Sequence, residues 1–167
     1  MPFIDDLAFL LGFLAVITCG LMGGLFFAFS NFVMQALADI APAAGIAAMQ
    51  AINKTVLNRL FLATFLGTAA ACGLLTLYAF VHWEVAGTFF LLLGSLSYLL
   101  GTFGVTLAFN VPRNNALAKL DAEGAGAVAV WRDYVAHWTR WNHVRTGAAL
   151  SATALLMLGL FLMLTMD

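Results

Sequence analysis

Four apolar stretches, roughly residues 7–33, 60–81, 86–109 and 147–166, dominate this sequence and leave it few ways to fold. An α-helix needs about 18–20 residues to cross a hydrocarbon core ~30 Å thick, and each stretch reaches that length. Inside lipid every backbone N–H and C=O must find a partner within the protein, which a helix provides by itself. The expected fold is all-α, an integral membrane four-helix bundle. Residues 1–167 suffice for one such transmembrane domain and show no linker, fixed-period repeat or low-complexity tail.

Charge is segregated. Lys54 and Arg59 lie between the first and second stretches, and Arg113, Lys119, Arg132, Arg140 and Arg145 between the third and fourth. In a four-span chain those two loops share a side, and the basic side is the cytoplasmic one. Both termini are then expected outside. A net charge of −1 offers nucleic acid no basic surface. The N-terminus starts acidic, with Asp5 and Asp6, and its apolar run is too long for a signal peptide, so the first span is expected to remain in the mature protein. Cys19 and Cys72 sit within apolar stretches and read as small buried hydrophobes.

Small residues recur at four-residue spacing in the first span (Gly20, Gly24, Ala28) and the second (Ala63, Gly67, Ala71). The third carries Ser97, Gly101 and Gly104. Such faces let helix backbones approach closely, within the bundle or in a homo-oligomer. Pro42 is placed to open a helix that leads into the second span. The third span is expected to stop at Asn110-Val111-Pro112, because proline lacks a donor and disfavours helix before it. Val128, Trp131, Val135 and Trp138, three and four apart, predict an amphipathic interfacial helix before the fourth span.

The densest polar cluster is Trp138-Thr139-Arg140-Trp141-Asn142-His143-Val144-Arg145-Thr146. At 100° per residue, Trp138, Trp141, Asn142 and Arg145 share one face, while Thr139, His143 and Thr146 share the next. Ionisable groups at membrane depth normally face the bundle interior or a wet cavity. A belt of headgroup-level tryptophans with snorkelling arginines accounts for Arg140 and Arg132 but calls for no adjacent amide and imidazole. Ser30, Asn31, Asn53, Asn58, Asn110, Arg113 and Asn114 lie at the ends of the other spans on the same side. An amide facing lipid would leave its donors and acceptors unmet, so these residues predict either mutual capping or one shared polar pocket. Three scattered histidines give no metal-ligand spacing, so no metal site is assigned.

Taken in order, Phe29-Ser30-Asn31-Phe32-Val33-Met34, Met49-Gln50-Ala51-Ile52-Asn53, Phe109-Asn110-Val111-Pro112-Arg113-Asn114 and the cluster from Trp138 to Thr146 resemble the anthrone oxygenase-like membrane proteins. Most bacterial members of that group are catalogued as a domain of unknown function. The resemblance implies a membrane-bound oxidoreductase in the bacterial inner membrane, oxidising a flat aromatic or hydrophobic substrate with O₂ as co-substrate. It implies no cofactor, and leaves haem or a metal open.

For such chemistry His143 is the candidate base, since an imidazole titrates near neutral pH. Asn142 and Arg145 are placed to stabilise an oxyanion. Phe29, Trp138 and Trp141 are placed to sandwich a ring, with Asn31, Asn53, Asn110 and Arg113 completing the pocket. Two other readings stay open at this point. One is a small-solute transporter using the asparagine layer. The other is a non-catalytic protein that binds a small molecule or lipid, or serves assembly.

Overall fold

The computed structural model of the chain describes residues 2–166. Four helices are long and apolar enough to span a membrane: α1 (Ile4–Asp39), α3 (Arg59–Val81), α4 (Thr88–Leu117) and α5 (Ala127–Thr165). Between the first two lies the shorter α2 (Pro42–Thr55). By length and composition this is an integral membrane protein, an all-helical bundle among its described residues.

Consecutive spans are neighbours. α1 packs on α3 and α5, and α4 packs on the same two, so the spans form a ring in chain order. α2 lies across the end that carries both basic loops, held by the last turns of α1 and α4 and the first half of α5. Two cores result. Ala15, Cys19, Met22, Cys72, Tyr98 and Leu156 fill the bundle; Met34, Ile46, Met49, Leu117, Trp131, Tyr134 and Trp138 fill the space beneath α2.

At the end that carries the basic loops, α1, α4 and α5 run past the apolar stretches, to Asp39 and Leu117 and from Ala127. Pro42 does occupy the first turn of α2. Asn58 caps α3, accepting from the backbone N–H of Phe61 at 3.0 Å, so it serves capping and not a pocket. The expected stop at Pro112 is corrected: α4 runs on to Leu117. A proline strains a helix through the carbonyl four residues back. Just before Pro112 the helix is wound as a π-helix over Thr106–Asn110, with the N–H of Val111 bonded to the carbonyl of Thr106, five residues back. That wider winding moves the carbonyls out of register with the ring. The segment before the fourth span is the first half of α5 itself, and its indoles Trp131 and Trp138 are buried beneath α2.

Small residues make the seams, though not all where the spacing suggested. Ser97 donates to the carbonyl of Ala148 at 3.0 Å, and a Cβ on Gly101 would collide with Ala148. On α1, however, the seam with α5 runs through Gly12 and Gly23, whose Cβ positions lie 2.8 Å from Leu160 and Leu150. Gly24 and Gly67 face open space. The buried line on α1 is Gly12, Ala15, Cys19, Met22 and Phe26, a three-and-four spacing that excludes positions 20, 24 and 28.

Candidate active site

Three π-helical turns surround one point in the bundle: Phe29–Val33 in α1, and Ser97–Gly104 and Thr106–Asn110 in α4. π-turns inside α-helices recur at functional sites because they rotate side chains out of the regular register. Facing them from α5 is Arg145, only 5% exposed. Its guanidinium lies over the ring of Phe26 at 4.3 Å and that of Trp138 at 5.0 Å. Nη1 donates to the Thr106 hydroxyl at 3.3 Å, and Nη2 donates to the side-chain carbonyl of Asn142. The buried Nε has no partner among the described residues. Among the described residues no carboxylate pairs with Arg145 either, and the ion pair between His137 and Asp133 is exposed.

Asn142, fully buried, aims that guanidinium. Its Nδ2 donates to the carbonyl of Phe26 and to the Ser30 hydroxyl, both at 2.7 Å, which leaves Oδ1 for Arg145. Ser30 also lies 3.2 Å from the Thr146 hydroxyl, and Thr102 donates to the backbone carbonyl of Arg145 at 3.2 Å. One turn nearer α2 is a second polar layer. Tyr134 Oη and Trp138 Nε1 both donate to Asn114 Oδ1 at 2.8 Å, and Asn53 donates to Tyr134 Oη at 3.3 Å. Asn110 ties α4 to α5 by donating to the carbonyl of Trp138 at 3.2 Å.

Arg145 opens onto a cavity of about 490 Å³ roofed by α2. Its walls are mainly apolar and aromatic, among them Phe26, Phe29, Phe61 and Trp138, with Thr106, Asn53 and Asn114 as polar points. Lys54 stands at its exposed rim, and its lining holds two cations and no carboxylate. Such a space suits an apolar small molecule that carries a polar or anionic group.

Of the expected site residues, Phe29, Asn53, Trp138 and Arg145 line this cavity, with Asn142 directly behind Arg145. Asn110 lies outside the lining as a brace, and Arg113 donates to the carbonyl of Phe109 at 2.8 Å. Trp141 stacks on Phe109 with centroids 3.6 Å apart, between α5 and α4. Asn31 and His143 are exposed and line a separate groove, together with Arg140. The reason is angular: two residues along a helix is about 200°, so a buried Arg145 turns His143 to the far side. Asn114, expected in the polar layer, also lines the cavity, whereas Thr106, Tyr134 and Phe26 belong to the site without having been singled out as its members. Tyr134 had a signal, since 134, 138, 142 and 145 follow one helical face.

Residues 55–155 match the anthrone oxygenase family, over more than half of the chain. This chain belongs to the anthrone oxygenase family. The match covers α3, α4 and most of α5, including Thr106, Trp138, Asn142 and Arg145. Thus the guanidinium and its braces lie in the part shared with the anthrone oxygenase family, while α1 and α2 supply Phe26, Phe29 and the roof. No curated protein and no solved structure matches the chain.

Proposed function

We propose that this anthrone oxygenase-family protein oxidises a flat aromatic substrate with O₂, holding the substrate's ionised oxygen on Arg145. The observation that supports this reading most is a buried guanidinium with no acidic partner among the described residues, facing an apolar cavity. A charge left without a counter-ion at that depth is costly, and a ligand oxyanion would offset the cost. In an anthrone the CH₂ beside the rings loses a proton to give an electron-rich enolate, and stabilising the enolate oxygen is what a preorganised donor does. The overall change is anthrone plus O₂ to anthraquinone plus water: the CH₂ becomes C=O, and O₂ supplies the second oxygen to water. Such an enolate reacts with O₂ directly, so the proposal requires no cofactor.

Phe29 and Trp138 serve as the ring-binding walls, tilted at 54° with centroids 5.7 Å apart. The substrate's proton leaves toward water at the Lys54 rim rather than to His143, which opens on the other side of α5. Both basic loops lie at the α2 end, and we assign that end to the cytoplasmic side of a bacterial inner membrane on the charge rule. Transport is the weaker reading. Beyond Thr102 the bundle core is packed mainly with apolar side chains such as Met22, Leu75 and Leu156, with Ser95 and Thr68 as isolated polar points, which argues against a hydrated path for a solute.

The test is conversion of a model anthrone by purified protein, aerobic against anaerobic, above autoxidation. Wild type is expected to exceed background, and Arg145→Lys to lose about 10-fold or more, because a point charge reproduces neither the planar fork nor the stacking between two rings. No rate above background on several anthrones removes the reading.

A further inference from the structure

The far side of α5 carries a second feature that the oxidation does not use. Between α1 and α5 lies a groove of about 440 Å³ whose lining includes Ser30, Asn31, Thr139, Arg140 and His143 and no carboxylate. The hydroxyl oxygen of Thr139 is buried there and has no partner among the described residues. The groove is thus a set of donors around one cation, the chemistry that receives a phosphate. Its apolar continuation is on the same two helices. One turn toward the middle of the span, Phe27 follows from Asn31 and Gly147 follows from His143, both exposed. Further along lie Gly24 and Leu150, also exposed, and Cβ atoms added at Gly24 or Gly147 would meet nothing within 4 Å. The glycine face that the helix–helix packing leaves unused therefore forms an open furrow leading out of a polar groove.

We propose that this face binds an anionic phospholipid, its phosphate among Arg140, Thr139 and Asn31 and one acyl chain in the furrow past Gly147 and Gly24. The order of the two parts favours a lipid over a free phosphate: the donors sit at the basic-loop end, and the apolar trough descends from them into the span, as headgroup and chain do. The groove also has a line to the oxidation site. Ser30 lines it while accepting from Asn142, whose carbonyl holds Arg145. Ser30, on the groove wall, therefore sits two hydrogen bonds from the guanidinium.

The experiment is native mass spectrometry of the full chain released from nanodiscs of phosphatidylglycerol mixed with phosphatidylcholine, with inorganic phosphate titrated separately. Wild type should retain one phosphatidylglycerol per chain in preference to phosphatidylcholine. Arg140→Gln, at an exposed position, should lower that retention about 10-fold. Gly147→Leu, where open space admits the side chain, should lower it by a similar factor while leaving the melting temperature unchanged. Equal retention by Arg140→Gln, or no preference over phosphatidylcholine, overturns the site. Saturable phosphate binding with phosphatidylglycerol retention untouched by Gly147→Leu makes it a free-phosphate site and overturns the lipid. A change of oligomeric state in Gly147→Leu with lipid retention unaltered shows instead that a second copy covers the face.

Discussion

Removing Asn142 should cost stability almost entirely through the guanidinium it serves. In Asn142→Leu the side chain keeps its volume and loses three contacts: two donations at 2.7 Å, to Phe26 and Ser30, and the acceptance from Arg145. The first two are inter-helix bonds in a membrane protein, worth about 0.6 kcal/mol each on average. Ser30 retains Thr146 as a partner at 3.2 Å, so little more is lost there. The third leaves a buried charged donor with only the Thr106 bond, and a hydrogen bond to a charged group contributes about 1.5–3 kcal/mol. The sum is roughly 3–4 kcal/mol by those contributions. If the cost belongs to the pair, Arg145→Met together with Asn142→Leu should recover the third part, giving a coupling of about 1.5–3 kcal/mol in a double-mutant cycle. The assay is reversible unfolding of the four proteins in mixed micelles, followed by tryptophan fluorescence and circular dichroism. Additive effects, within about 0.5 kcal/mol, would refute the argument that Asn142 exists to hold Arg145.

Other outcomes follow from the same geometry. Asn142→Asp should place a carboxylate against the guanidinium and compete with the ligand oxyanion, weakening anthrone binding at least about 10-fold by fluorescence titration; unchanged affinity would mean that Arg145 does not bind the ligand. His143→Ala should keep oxidation within about 2-fold, whereas loss of a general base costs about 10²–10⁴-fold, so a collapse in rate would return the base to His143. Gly45→Ala should destabilise the protein by about 1–3 kcal/mol through overpacking, since its Cβ would lie 2.5 Å from the carbonyl of Leu37 and 2.9 Å from Trp131. Thermal unfolding measures it. Cysteine labelling at positions 84 and 119 of an otherwise cysteine-free variant should modify only 84 from outside intact cells; labelling at 119 would reverse the orientation.

Four apolar runs with their cations confined to two loops already decide an all-helical membrane bundle, because lipid admits no other way to satisfy a spanning backbone. The polar end of that bundle was legible for the same reason: asparagines and an arginine at membrane depth are too costly to leave facing lipid. Family membership was legible in the ordered motifs from Phe29 to Thr146. Which of those residues meet was not. The choice between the faces of His143 and Arg145 depends on how α5 is rotated, and that rotation is set by packing against α1 and α4, through Gly23 on Leu150 and Gly101 on Ala148. Small-residue spacing marks every face on which a backbone could approach, so it could not tell the Gly12–Gly23 seam from the open face at Gly24. Pro112 misled because proline rules assume α-winding, whereas the chain before it is wound as a π-turn over Thr106–Asn110. The cavity itself belongs to tertiary structure alone. Its roof is α2, its walls come from four helices, and the unpaired charge of Arg145 becomes visible only once every neighbour that could have neutralised it is in place.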